Sequence, residues 1–183
     1  MNILILNANP QSEYQSFDRY LDRLSASWIQ AGHRVYTLKL REMTIAYCTG
    51  CWSCWVNTPG ECKSRDDSRY VCLEVVNSDL TVMASPVIMG FPSALLKKVM
   101  DKLIPIVHPY IVLEKGEAHH LSRYDHYPKI ALLTDKCGDT DDEDIQIITE
   151  IFHRNALNMK TELVFIHNTL EPVEEVAHEI NHL

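Results

Sequence analysis

The amino-acid sequence predicts an α/β fold with a doubly wound parallel sheet. Five short apolar runs recur along the chain: NILILN (2–7), HRVYTLKL (33–40), LTVMA (80–84), KIALLT (129–134) and TELVFI (161–166). Runs of this length suit buried strands. Segments with helical spacing separate them, and strands alternating with helices imply a parallel sheet covered on both faces. Right-handed crossovers then leave a few doubly wound topologies.

Each element has a local reason. After the first strand and a loop over 8–15, Phe17, Tyr20, Leu21, Leu24, Trp28 and Ile29 recur at helical spacing. Ser16 suits the N-cap of that helix and Gly32 its C-terminal cap. Asp66 and Asp67 precede a helical segment through Val76. Residues 85–91 (SPVIMGF) read as a loop. Ser93 opens a helix whose apolar face carries Leu95, Leu96, Val99, Met100, Leu103 and Ile104, until Pro105 ends or bends it. Residues 105–127, rich in His and Tyr, read as irregular. A helix spans 141–157, and the acidic run Asp139-Thr140-Asp141-Asp142-Glu143-Asp144 suits its positive N-terminal dipole end. A last helix covers roughly 173–181.

Composition narrows the function classes. A chain of 183 residues, 46% hydrophobic and 23% charged, fits one ordinary domain. There is no internal repeat, linker or low-complexity tract. The net charge of −8 argues against a nucleic-acid partner, which needs a clustered basic face. No apolar run approaches a bilayer span, so no membrane role is expected. The start MNILILNANPQ has no basic region before a secretory core, so a cytoplasmic protein with reduced thiols is expected.

In open α/β sheets, ligands bind at the carboxyl ends of the strands. Three loops meet that description: 8–16, 85–91 and 135–139. The first leads into a helix N-terminus, which suits a phosphate, with Asn9, Gln11, Ser12 and Ser16 adding polar groups. The plain alternative is that Ser16 only caps and Asn9-Pro10 only turns. The second loop is apolar and suits a flat aromatic ring, or else simple packing beneath a turn at Gly90.

Four segments together resemble a known family: NANPQSEYQS (7–16), CTGCWSCWVNTPGECKSRDD (48–67), SPVIMG (85–90) and LLKKVMDKL (95–103). In this order they resemble the flavodoxin-like NADPH-dependent FMN reductases and their iron–sulfur flavoprotein relatives. The resemblance implies a single flavodoxin-like domain over 1–183, strand order 2-1-3-4-5, with a Cys-rich insertion at about 45–66. It implies an FMN site. Asn9, Gln11, Ser12, Ser16 and the helix start at Phe17 would hold the phosphate; Ser85, Pro86, Val87, Ile88, Met89 and Gly90 would hold the ring. Asp135 and Lys136 would touch the ring edge or a nucleotide. It further implies NAD(P)H as donor, a small acceptor such as a quinone or flavin, and a homodimer or homotetramer. Two positions depart from the family pattern: Gln11 stands where Arg is usual, and Ile88 where Tyr or Trp is usual. A Gln cannot make charge-assisted bonds to a phosphate.

Cys48, Cys51, Cys54 and Cys62 are spaced C-x2-C-x2-C-x7-C. Thiolates suit iron–sulfur clusters and zinc. Two close steps aim three sulfurs at one centre, and the fourth returns over Pro59-Gly60. The resemblance implies a [4Fe-4S] cluster; the spacing also admits zinc, or four thiols packed with Trp52 and Trp55 as a lid beside the flavin. Cys72 reads as a core residue and Cys137 as a loop thiol. A protein that carries the cluster would be an electron carrier. One that has lost flavin would be a non-enzymatic metal-binding or sensor protein. The chain also ends in H-E-x-x-H (178–182), a zinc-protease signature, but a terminal helix is a poor frame for a rigid site. His119, His120 and Tyr124 read as a solvated loop, with a ring pocket as the alternative.

Overall fold

The computed structural model describes residues 1–136, 138 and 140–183, and among these every side chain except that of His182. Cys137 and Asp139 lie outside the described residues. In chain order the elements are β1 (Asn2–Asn7), α1 (Gln15–Gln30), β2 (Arg34–Lys39), α2 (Ser53–Val56), α3 (Ser68–Asn77), β3 (Leu80–Ile88), β4 (Phe91–Pro92) and α4 (Ala94–Lys102). There follow β5 (Val107–Glu114), β6 (Glu117–Ser122), β7 (Lys129–Asp135), α5 (Asp142–Asn158), β8 (Leu163–Asn168) and α6 (Val173–His178). Five strands pair in parallel in the order β2-β1-β3-β7-β8, which is the 2-1-3-4-5 order expected.

Period-two alternation in β1 divides the core. Ile3 and Ile5 pack with Phe17, Leu21, Leu24 and Trp28 of α1 and Val173 and Val176 of α6. Leu4 and Leu6 face the opposite layer, with Val71 and Val75 of α3, Leu96 and Val99 of α4 and Ile148 and Phe152 of α5. Each fully buried side chain of this kind contributes about 1.5–3 kcal/mol. Polar tips pin the first layer: Trp28 Nε1 donates to Ala177 O at 3.1 Å and Tyr20 Oη to Glu171 O at 3.0 Å. Helix α1 closes with a Schellman motif, since His33 N–H reaches Trp28 O, Gly32 N–H reaches Ile29 O and Gly32 has φ +90°.

Three expectations are corrected. Ser16 is not an N-cap: α1 starts at Gln15 behind Tyr14, with no side-chain cap bond. The apolar stretch 85–91 is no loop. Strand β3 continues to Ile88, then turns through Met89 (φ +53°) and Gly90 (φ +73°) into the antiparallel β4. A turn with positive φ at both central residues matches strand twist, which favours continued pairing. The stretch 105–127 is not irregular, because β5 and β6 form a hairpin through Lys115-Gly116, again with both φ positive. His119 is buried on β6 rather than solvated, and His120 packs against Trp55 at 4.8 Å between ring centroids. Near the C-terminus α6 stops at His178 and a 3-10 turn covers Glu179–His182, so the H-E-x-x-H residues share no continuous α-helical face.

Candidate functional site

A cleft of about 600 Å³ opens at the carboxyl ends of β1, β3 and β7. Its lining includes seven residues singled out from the sequence: Asn9, Gln11, Pro86, Val87, Ile88, Met89 and Lys136. Pro10, Tyr14 and Gly138 complete it. The 86–89 side is apolar and belongs to the β3–β4 hairpin, with Met89 90% exposed at its tip. The opposite side is polar loop.

That loop is shaped by a network the sequence reading missed. Asp18, one turn into α1, accepts from Asn7 Nδ2 at 2.8 Å and Asn9 Nδ2 at 3.0 Å, and pairs with Arg41 Nη2 at 2.7 Å. Asn9 Oδ1 accepts from Gln11 N–H, and Asn7 Oδ1 from Asn9 N–H, both at 3.0 Å. Burial alone would push the Asp18 carboxyl up; the bonds from Arg41, Asn7 and Asn9 outweigh it and hold it below the usual carboxylate range. The Asn9 side chain is fully buried and spent on the loop's own geometry. What remains for an anion is backbone N–H at the helix start, where the first turn has no intrahelical acceptor. An Asn-x-Asn step before a helix carrying an Asp in its first turn was the available signal.

Ser85 is likewise turned inward. Its hydroxyl donates to Pro86 O and accepts from Ser93 N–H at 2.8 Å, while Ser93 Oγ donates to Ala8 O at 2.7 Å. These bonds lock the first two loops together. Gly90 lies in the hairpin turn itself, against Asp144 of the α5 capping box. Asp135 is buried and accepts from Tyr14 Oη and from Thr169 Oγ1. Lys136 pairs with Asp142 at 3.1 Å. Ser12 and Ser16 are exposed and Phe17 is core, so only its backbone can serve a ligand.

The cysteine segment forms a second pocket of about 390 Å³, lined by Cys48, Cys51, Cys54 and Cys62 together with Trp52, Lys63 and Lys102. No described residue lines both this pocket and the cleft. The cysteine pocket reaches Lys102 at the far end of α4, nine residues or roughly 13 Å along the helix from Ser93. Trp55 anchors the cysteine segment, donating Nε1 to Ile104 O and Val107 O and stacking on Trp52. Gly60 (φ +90°) turns the chain back, and Arg69 grips Cys62 O through Nε and Nη2 at 3.0 and 2.7 Å. The Ser53 backbone N–H, with Thr49 and Lys63, holds the Cys51 thiol below its ordinary range. Burial, and the neighbouring thiols after it, push Cys54 up. Cys72 lies in the core as expected, its thiol pushed up to about 12 by burial.

Among the described residues, no three His, Cys, Asp or Glu side chains converge tightly enough to hold a metal ion. A single zinc ion needs four donors about 2.3 Å from one point. An iron–sulfur cluster presents separate iron corners instead, so it asks for sulfurs around a cavity. Four cysteine thiols lining one pocket supply the donor type that such a cluster takes.

A family model described as NADPH-dependent FMN reductase matches residues 1–118, more than half of the chain. An iron-sulfur flavoprotein of Archaeoglobus fulgidus is 31% identical over 96 residues, 52% of this chain and 43% of that relative, so less than half of its length is matched. Among solved structures, an NAD(P)H:quinone oxidoreductase from Methanothermobacter marburgensis superposes with TM-score 0.69 at 17% identity, covering 99% of this chain and 90% of that one. An FMN-dependent NADH-azoreductase from Bacillus anthracis in complex with FMN gives TM-score 0.65 at 13% identity, covering 98% of each chain. At such identities the likeness establishes the fold, which is the flavodoxin-like one.

Proposed function

The chain belongs to the NADPH-dependent FMN reductase family, and from that premise we propose that it is an FMN-dependent oxidoreductase taking electrons from NAD(P)H to a small acceptor such as a quinone or free flavin. The cleft carries this reading: it joins the family's phosphate-type and ring-type loops at the carboxyl ends of the strands. Its shape and donors fit FMN, with an apolar wall for a ring and a helix start for a phosphate. When bound, the flavin supplies the hydride and electron chemistry.

The chain's own residues bind and orient. The N–H groups near Ser12, Ser16 and Phe17 are the phosphate donors, and Gln11 adds a neutral side chain. Pro86, Val87, Ile88 and Met89 present apolar surface and backbone to the ring and exclude water from one face. Asp18 and Arg41 keep the loop in its binding conformation without touching the ligand. Asp135, held by Tyr14 and Thr169, fixes the third loop, and Lys136 stands at the rim for a negatively charged nucleotide. Exposed Trp52, Val56, Tyr110, Ile111 and Leu113 support assembly as a homodimer or homotetramer. No helix among the described residues is long and apolar enough to cross a membrane.

The test is FMN titration followed by steady-state NAD(P)H oxidation with quinone and flavin acceptors. Saturable flavin fluorescence quenching with turnover supports the reading. Pure protein that stays colourless with FMN overturns it.

One observation favours a second reading, an electron carrier that also holds a [4Fe-4S] cluster on Cys48, Cys51, Cys54 and Cys62. The four thiols line one pocket, and the relative that matches the chain is named an iron-sulfur flavoprotein. Iron and acid-labile sulfide in anaerobically prepared protein decide it.

A further inference from the structure

Lys102 is a buried charge that the flavin site does not use. Its side chain is 3% exposed, with Nζ 3.2 Å from Asp66 Oδ2 and 3.3 Å from Cys62 Sγ. Lysine is almost never fully buried unless paired. Asp66 would suffice as that pair, yet the ammonium also reaches the sulfur. An ammonium has three donors and no acceptor, so the contact runs from N–H to sulfur.

The surroundings fix both charges. Asp66 Oδ2 also accepts from Ala46 N–H at 3.0 Å, and its Oδ1 from Ser68 N–H at 3.0 Å and from Ser68 Oγ. Burial would raise its carboxyl, but these bonds and Lys102 take it down to about 2. Asp66 and Lys102 thus form a buried ion pair held by several fixed donors. Lys102 ends α4, and its carbonyl accepts from Cys72 Sγ at 3.4 Å. Arg69 holds the Cys62 carbonyl from the other side. Cation and sulfur are each anchored independently of the other.

We propose that Lys102 is a positioning residue for the cysteine pocket: its ammonium donates a hydrogen bond to the Cys62 sulfur and raises the reduction potential of an iron–sulfur group held there. This rests on the second reading above. Such potentials are set by net charge and by hydrogen bonds to the sulfurs. On reduction one electron enters, no bond breaks, and the group gains one negative charge. A fixed cation and an N–H bond at one sulfur stabilise that reduced form more than the oxidised one.

The experiment measures iron, acid-labile sulfide and midpoint potential in wild type, Lys102→Met, Lys102→Arg and Asp66→Asn, isolated and reconstituted anaerobically. Lys102→Met is expected to keep its iron but lose about tenfold in the reduced-to-oxidised ratio at a fixed potential, which is about 59 mV for a one-electron couple. Asp66→Asn removes the compensating anion and shifts the ratio the opposite way. Lys102→Arg keeps the charge and stays near wild type. A merely structural role would not give shifts of opposite sign. Equal potentials in wild type and Lys102→Met, both with full iron, overturn the role of Lys102 alone. Wild type without iron and sulfide overturns the cluster reading and this inference with it. Where Lys102→Met fails to fold, Asp66→Asn decides: no upward shift overturns the proposal.

Discussion

Arg41–Asp18 beneath the cleft and Lys102–Asp66 beside the cysteine pocket are both shielded acid–cation pairs, at 2.7 and 3.2 Å. They differ in where their remaining bonds go. Arg41 donates again to Asp18 and to Asn9 O, while Asp18 collects both asparagines. Apart from a longer contact of Arg41 with the exposed Glu42 at 3.7 Å, these bonds turn inward, and the product is a loop shape. Lys102 sends a bond outward to a sulfur. One pair builds backbone for a ligand; the other presents its own charge. A charged pair near a site is therefore no guide to its role until its spare donors are traced.

Breaking the inward pair has the largest expected effect. Arg41→Ala leaves Asp18, 13% exposed, without its cation. Removing one partner of such a pair costs about 3 kcal/mol or more. The urea midpoint should fall with its slope unchanged, and FMN uptake should fall with it. A loss under about 1 kcal/mol would mean that the loop holds its shape without the network.

The two hairpin turns sharpen the contrast between a built cleft and a plain connection. Gly90 and Gly116 both have positive φ, at +73° and +84°. A Cβ on Gly90 would meet Asp144 Oδ1 at 2.5 Å, and one on Gly116 meets nothing within 4 Å. Gly116→Ala should cost about 1 kcal/mol, from backbone conformation alone. Gly90→Ala should cost about 2 kcal/mol and also weaken FMN binding, because the hairpin lining the cleft must shift. Thermal melts and flavin titrations of both variants check this. Equal effects would show that the Asp144 contact does not matter.

At the cleft, charge is the missing ingredient. Gln11 is exposed on the loop, and Glu13 beside it adds a negative charge. Gln11→Arg should tighten FMN binding about tenfold through a charge-assisted bond, and the gain should shrink with added salt. Unchanged affinity would place the phosphate away from residue 11.

How much of this was legible follows from what each feature depends on. The covered parallel sheet was legible because β1, β3 and β7 are apolar on both faces, and a buried strand leaves that mark in the sequence itself; its strand order came only from the family resemblance. The cleft was half legible. Pro86 to Met89 declared themselves as an apolar run, but Asn9 and Ser85 gave no sign that their side chains point inward, since polarity does not encode direction. Arg41 lies 23 residues from Asp18 in sequence, and no local pattern joins them. The β5–β6 hairpin was hidden because Pro109 and three histidines dilute its strand pattern; Lys115-Gly116 was its one turn signal. Nothing in the sequence marks Lys102 out on its helix, and only packing shows it buried.

The smallest effect separates the two acids by pH. A carboxyl depressed in the folded state adds stability that is fully present above its unfolded value and lost as pH falls through its folded value. For Asp66 that window runs from 3.8 down to about 2. Between about pH 4 and pH 2, wild type should therefore lose about 1 kcal/mol more stability than Asp66→Asn, which has nothing there to protonate. Asp18 is depressed in the same direction, so Asp18→Asn should flatten the acid limb too, but at the further cost of the loop network. Urea unfolding of the three proteins across that range makes the comparison. Parallel acid limbs for wild type and Asp66→Asn would mean that Asp66 gains nothing from its folded partners. The bonds from Ser68, Ala46 and Lys102 would then add nothing to the folded state through Asp66, and the two acids could not be told apart by pH.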